Sequence, residues 1–316
     1  MSNDRGTLGG FGFNTTSGVQ MGGGFGFNKR AGGTPDPAIA NVYSILFDGV
    51  DEYVNCGNSL TIKPETGMTV SCWVKPRRWA WLNPGGALDH SEFLVGNIAV
   101  GGWGLYIQFA GTQNTPTTTI IWKMKVNGPT PGGGGSPGYV QAEIPSAIAR
   151  TFTSWVFLVA AFDGDELRLT FTDTTGVVGS QTYTTATEIS TYTVYSTSPT
   201  YSGVDVLIGA DPINNPGGVS GDSPAADFLN GYLDEVGIWD IGLGEEAVAS
   251  LYNVGVPTNL GVNINDYTQS SNLQGWWRNG DTGGQSEYPS IEDYSTNTND
   301  GLMHNMESSD INTNTP

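Results

Sequence analysis

The sequence predicts an all-β protein: an antiparallel two-sheet sandwich with one short helix and a flexible N-terminal arm. Three observations carry this prediction. Short apolar runs recur along the chain, punctuated by Gly, Pro, Asn and Asp turn signals. Charged residues make up only 14% and glycines number 46, a composition that suits short strands joined by many turns. No strand-like run is followed by a helical pattern of crossover length, which argues against parallel βαβ units.

The elements follow in order. Tyr43–Phe47 and Glu52–Cys56 flank a turn at Asp48–Asp51. Met68–Lys75 is a strand closed by Pro76, with Met68, Val70, Cys72 and Val74 on one face. Gly104–Phe109 and Thr118–Val126 are two more strands. Pro129–Gly138, PTPGGGGSPG, reads as a surface insertion. Trp155–Phe162 is apolar on both faces, so a fully buried strand is expected. After a turn at Asp163–Glu166, Leu167, Leu169 and Phe171 alternate with polar residues, as in a half-buried strand. Val204–Ile208 and Phe228–Trp239 complete the set, and Gly244–Asn253 carries the helical signal. In the last strand Phe228, Tyr232, Val236 and Ile238 share one face by even spacing while Leu233 falls on the other. A bulge near Asp234–Glu235 reconciles them.

Residues 1–40 form a separate zone with one internal repeat, GGFGFN, at Gly9–Asn14 and again at Gly23–Asn28. Two readings stay open. So much glycine makes ordering costly, which gives a flexible tail; or Phe11, Phe13, Phe25 and Phe27 anchor a docking arm that orders on a partner. The domain expectation is therefore an arm at 1–40, a sandwich at 41–306 and a polar C-terminal tail at 307–316.

Bulk properties exclude several classes. The net charge of −19 repels phosphate backbones and favours cations and basic partners, so no nucleic-acid partner is expected. No apolar run reaches the roughly 18 residues of a membrane span. The N-terminus, MSNDRGTLGG, lacks a basic segment followed by an apolar one, so no secretory signal is expected. Cys56 and Cys72 do not make a disulfide framework; two buried free thiols are expected, with a bridge as the alternative.

Four segments in order resemble laminin-G-like and pentraxin-like domains of the concanavalin A-like jelly rolls. These are YSILFDGVDEYVNCG at Tyr43–Gly57, MTVSCWVKP at Met68–Pro76, WVFLVAAFDGDELRL at Trp155–Leu169, and GYLDEVGIWD at Gly231–Asp240 with its helix. The resemblance covers roughly Asn41–Leu260 and implies a jelly-roll sandwich. LQGWWRNG and DYSTNTNDGLMHNM, near the C-terminus, resemble a segment that usually opens such a domain. Here it comes last. Either Trp276 or Trp277 completes an edge of the same sandwich, or the segment is a truncated second domain.

The pentraxin resemblance implies calcium, held by oxygen side chains on loops at one rim. The matching positions are Asp89, in the loop before Phe93–Val95, with Asp211, Asn214 and Asp227. The member after Asp89 in the family's acid pair is His90 here. Calcium takes six to eight hard oxygen ligands, and these residues supply a core set. Asp48 and Asp234 are expected to make structural turn hydrogen bonds. A second candidate is the loop opening with RRWAW: Arg77, Arg78, Trp79 and Trp81, the most basic and aromatic loop of an acidic chain. Trp faces stack on sugar rings and Arg pairs with acidic groups; equally, the Trp residues pack on the sandwich or on a neighbouring subunit. Trp73, Trp122, Trp155 and Trp239 lie in strands and are expected in the core.

No catalytic residues are expected. Retaining glycosidases need two carboxyls about 5–5.5 Å apart. No strand here carries alternate acids, and Asp163 and Asp165 fall in a turn. Neither histidine, His90 or His304, sits in a metal or triad motif. The expected function is a non-enzymatic phage virion protein, a decoration or fibre component, with the arm docked on other virion proteins or on further copies of itself and the sandwich presented to a cell-surface glycan. A cellular surface adhesin or lectin module, and a glycoside hydrolase, are the alternatives.

Overall fold

The structure, a computed structural model, describes residues 39–77, 87–98, 102–112, 115–127, 138–144, 154–164, 166–173, 178–183, 193–194, 204–212, 225–281 and 283–316. The Phe residues of the arm and residues 128–137 of the glycine-rich insertion lie outside this set. In chain order the strands are β1 (Ser44–Asp48), β2 (Tyr53–Asn55), β3 (Met68–Pro76), β4 (Ala87–Gly96), β5 (Trp103–Thr112), β6 (Thr115–Asn127), β7 (Gly138–Ile144), β8 (Val156–Phe162), β9 (Leu167–Asp173), β10 (Val178–Tyr183), β11 (Thr193–Val194), β12 (Leu207–Ile208), β13 (Asp211–Pro212), β14 (Ala225–Ala226), β15 (Asn230–Trp239), β16 (Leu273–Trp277), β17 (Ser290–Ile291), β18 (Gly301–His304) and β19 (Ile311–Asn312).

Two antiparallel sheets form a β-sandwich, as predicted. One runs β10-β9-β8-β3-β15-β1-β19, with β16 also on β15. The other runs β11-β6-β5-β4-β12-β2-β18-β17, with β7 beside β6, and β13-β14 make a small separate ribbon. The inner faces meet in one core that includes Ile45, Phe47, Val70, Leu105, Trp122, Leu158 and Ile208. A second apolar layer covers the outer face of the first sheet: Trp73, Trp155, Phe157 and Trp239 beneath Leu243, Val248, Leu251 and Tyr267. This is why β8 is buried at every position. Its even residues face the other sheet and its odd ones face this layer. Each large side chain so buried contributes about 1.5–3 kcal/mol.

The layer is capped by the helix α1 (Glu245–Tyr252), which buries Ala247, Val248 and Leu251. Glu245 and Glu246 in its first turn favour the helix dipole, and Asn253 ends it in the left-handed region at φ 44°.

The bulge in β15 is present. Asp234 pairs with Trp73 and Gly237 with Ser71, so Glu235 and Val236 together oppose Cys72. Glu235 takes φ 48°, and the Asp234 carboxylate accepts the Glu235 amide at 2.9 Å. The face assignment needs correcting. Leu229 and Leu233 join Val236 and Ile238 in the core, while Tyr232 packs on the outer layer. The bulge switches parity after Leu233. Asp48 also serves its turn, accepting the Val50 amide at 2.7 Å. Cys56 and Cys72 are buried and unbridged.

The C-terminal segment belongs to both sheets. β1 pairs with the first half of β15, from Asn230 to Leu233, and β16 pairs with its second half, from Val236 to Trp239. The hand-over falls at the bulge. β18 adds to β2 in the other sheet and Trp277 is wholly buried. Residues 307–316, expected to be a polar tail, instead carry β19 on β1, with Ile311 in the core. β7 and β10 gave no strand signal in sequence, because GYVQAEI and VGSQTY contain no apolar run.

Candidate functional site

The site is built on the rim where β3, β4, β12 and β15 meet. Ile208 of β12 pairs with Val95 of β4. Gly209 follows at φ 85°, donating its N–H to Leu94 O at 2.9 Å and accepting from Leu229 N at 2.8 Å. A side chain there would run into the Phe47 ring. This glycine turn sets Asp211 opposite Ala226. Next to Ala226, Asp227 adopts φ 51° and its carbonyl accepts the Phe93 amide at 2.8 Å.

Asp211 and Asp227 thus stand close enough to repel. Burial, with Asp227 as a second cause, pushes the Asp211 carboxyl up to about 7. Its Oδ1 is buried with no hydrogen-bond partner among the described residues. Glu92, only 1% exposed, accepts the Asn230 amide at 3.1 Å. Asn230 also donates its side-chain amide to Asp48 O, and its carbonyl accepts the Arg77 amide at 2.9 Å. Glu52 accepts the Asp48 amide at 2.6 Å, and burial raises its carboxyl to about 7. One rim therefore gathers Asp48, Glu52, Glu92, Asp211 and Asp227, with exposed Arg77 leaving β3 beside them.

The expected calcium residues are only partly assembled. Asp89 lies in strand β4, paired with Ala110, and not in a loop. The hairpin with β5 supplies the ladder that its polar sequence did not signal. It stands three residues beyond Glu92, about 10 Å along the strand. The side chain of Asp89 and all of Asn214 lie outside the described residues. Among the described residues no three acidic, histidine or cysteine side chains converge on a metal-sized point. Glu92 was missed by sequence reasoning; the register of β4 against β12, extended past Ile208, is the signal that places it opposite Asp211.

Of the basic-aromatic loop only Arg77 is described; Arg78, Trp79 and Trp81 are not. Trp73, Trp122, Trp155 and Trp239 are core residues, as expected. Asp163 accepts the Glu166 amide at 2.9 Å and pairs with Arg168 at 3.0 Å, so its carboxylate is committed to the turn. Asp165 is outside the described set. His304 stacks on Tyr53 with ring centroids 4.7 Å apart, and burial lowers its basicity.

A putative carbohydrate-binding protein from Bacteroides ovatus aligns at 11% identity and TM-score 0.48, over 84% of this chain and 59% of its own. Tailspike protein 2 of an Escherichia coli O157:H7 bacteriophage aligns at 12% identity and TM-score 0.40, over 81% of this chain and 31% of its own. A heptameric SAP-like pentraxin from Limulus polyphemus aligns at 12% identity and TM-score 0.38, over 68% and 83%. The chain thus spans about three-fifths of the first protein and under a third of the second. No curated protein sequence matches it. The laminin-G family model described as the concanavalin A-like lectin/glucanases superfamily matches residues 48–249, well over half of the chain. The chain belongs to that superfamily, in its laminin-G-like branch.

Proposed function

We propose that this chain is a non-enzymatic binding protein of a phage virion, a decoration or fibre component that offers its acidic rim and Arg-Trp loop to a cell-surface glycan. The observation that carries the reading is the exposed exit of Arg77 beside Glu92 and Asn230. It roots RRWAW among carboxylates, and that pairing suits a sugar: indole faces take the apolar side of a pyranose, while charged groups bind its hydroxyls. The superfamily's carbohydrate-binding members support the same choice. Calcium enters this proposal at Asp211 and Asp227, where mutual repulsion and the unpartnered Oδ1 favour a bound cation.

Two further observations support the non-enzymatic and assembly parts. Asp163 is committed to its turn, and Asp234 and Glu235 are buried beyond substrate reach. The root of the arm is gripped at a fixed point: Arg278 donates to Ala40 O at 2.7 Å, and Asp281 accepts the Val42 and Tyr43 amides at 2.6 and 2.8 Å. An arm leaving from a fixed point suits docking on virion neighbours or on another copy, and oligomerisation multiplies weak sugar contacts.

The test is a glycan array with full-length protein, run alongside the Trp79→Ala/Trp81→Ala variant. Binding lost in the variant and unaltered glycans support the proposal. Hydrolysis of a polysaccharide panel abolished by Asp163→Asn or Asp165→Asn would overturn it. Mass spectrometry of purified particles decides between virion and cell-surface adhesin.

A further inference from the structure

The bulge of β15 brings three carboxylates, Asp234, Glu235 and Asp281, around one guanidinium, Arg278. Two of them are fully committed. Glu235 Oε2 accepts Trp276 Nε1 at 2.5 Å, and its Oε1 faces Arg278 Nε at 3.3 Å. Asp281 takes the Val42 and Tyr43 amides on Oδ1 and Arg278 Nη2, at 2.8 Å, on Oδ2.

Asp234 is different. It is 0% exposed; Oδ1 accepts the Glu235 amide, and Oδ2 has no partner among the described residues. Two carboxamides adjoin this stretch of β15, one at the Asp234 side chain and one at the peptide before it. Asn41 lies against the Asp234 carboxylate, and its side-chain nitrogen and oxygen are both buried without a well-formed partner among the described residues. Asn279 is 1% exposed and donates Nδ2 to Leu233 O at 2.8 Å, on the peptide entering Asp234; its own Oδ1 is also unpartnered among the described residues. Buried polar atoms without well-formed partners among the described residues therefore occur along the stretch of β15 where the buried charge sums to two negative, and the Asn41 amide nitrogen is the atom turned to Asp234. Burial, then Glu235 and Asp281, hold the Asp234 carboxyl well above the ordinary range. A buried carboxylate in this state is strongly unfavourable unless something neutralises it.

A proton or a metal ion can do so, and the oxygens decide between them. One proton on Asp234 joins Oδ2 to one amide oxygen, leaves the other orphaned and leaves one excess negative charge. A divalent cation engages all three oxygens, after a half-turn of the Asn41 carboxamide, and cancels both charges. We propose that Asp234, Asn41 and Asn279 form a divalent-cation site of the calcium class that fastens the root of the N-terminal arm to the closing strand. An all-oxygen set of one carboxylate and two amides, completed by water and backbone carbonyls, is hard-cation chemistry. Asn41 stands between the arm and β1, so the ion joins the same residues that Arg278 and Asp281 grip. The site is distinct from the rim pair: Asp234 is four residues along β15 from Asn230, about 13 Å away.

The test uses full-length protein stripped with EGTA, then titrated with calcium by calorimetry. Wild type, Asp211→Asn and Asp234→Asn are compared. In Asp211→Asn, calcium at a hundredfold over its Kd raises Tm by about 5–10 °C; in Asp234→Asn this site and its Tm shift are lost. Asn also mimics a protonated Asp. If Asp234→Asn melts at or above wild type in EGTA, and calcium leaves Asp211→Asn unchanged, a proton fills the site and the proposal fails. Amide exchange provides a second readout on Asp211→Asn if Asp234→Asn does not fold. Calcium should slow exchange at Val42 and Tyr43, and unchanged exchange there overturns the proposal. The rim reading fails separately, when Asp211→Asn binds as many ions as wild type.

Discussion

Replacing Trp277 by Ala tests whether the C-terminal segment is structural to the sandwich. The indole is 0% exposed, its Nε1 donates to Asn299 O at 2.9 Å, and it fills the space beside Gly275 and Gly301. Truncating a buried Trp costs about 3–5 kcal/mol. Leaving the Asn299 carbonyl without its donor adds about 1 kcal/mol. The sum, about 4–6 kcal/mol, is a large share of the 5–15 kcal/mol that holds a typical domain together. At about 2–4 °C per kcal/mol the melting temperature falls by about 10–20 °C. Trp277→Phe keeps much of the ring and loses the donor, and costs about half as much. Urea unfolding followed by circular dichroism measures both. A single transition with unchanged slope and a lower midpoint is expected. A loss below about 1 kcal/mol, or a separate early transition, would refute the integration of β16.

Three other outcomes are expected. Asp211 has a folded pKa of about 7 against an ordinary 3.8, so its ionisation costs stability progressively as pH rises from 4 to 7. In EGTA at pH 8, Asp211→Asn should exceed wild type by about 1–3 kcal/mol, with no difference at pH 4; thermal melts across pH check the sign, and calcium should reverse it. Gly209→Ala meets both the Phe47 ring and φ 85°, and should cost more than about 3 kcal/mol, whereas Gly57→Ala, at φ 74° with open space, costs about 1–2 kcal/mol; paired urea midpoints separate strain from clash. A circular permutant linking Pro316 to Ile39 and opening at exposed Val262 should fold cooperatively, since Ser44 Oγ donates to Asn314 O at 2.6 Å and holds the two ends together; loss of the single transition would count against it.

The C-terminal segment completes both sheets by pairing alone. Its strands need only reach β15, β2 and β1, and position along the chain does not alter that pairing. Sequence pattern made the strands with strong apolar alternation visible, β3, β8 and β9 above all. It was silent on β7 and β10, which are placed by pairing with β6 and β9. It also misread Asp89, because a polar strand in a hairpin looks like a loop until its partner is known.

The sequence by itself determined the sandwich, its buried central strand, the helix and the bulge at Asp234–Glu235. Those follow from local period, turn residues and parity, which are properties of neighbouring residues. Only the tertiary structure decided which acids meet. Glu92 reaches the rim through the register of β4, Asp211 faces Asp227 through a glycine turn, and Asn41 meets Asp234 from the far end of the chain. Charge, burial and orphaned oxygens arise from groups distant in sequence, so the chemistry of this protein appears only once the sheets have closed.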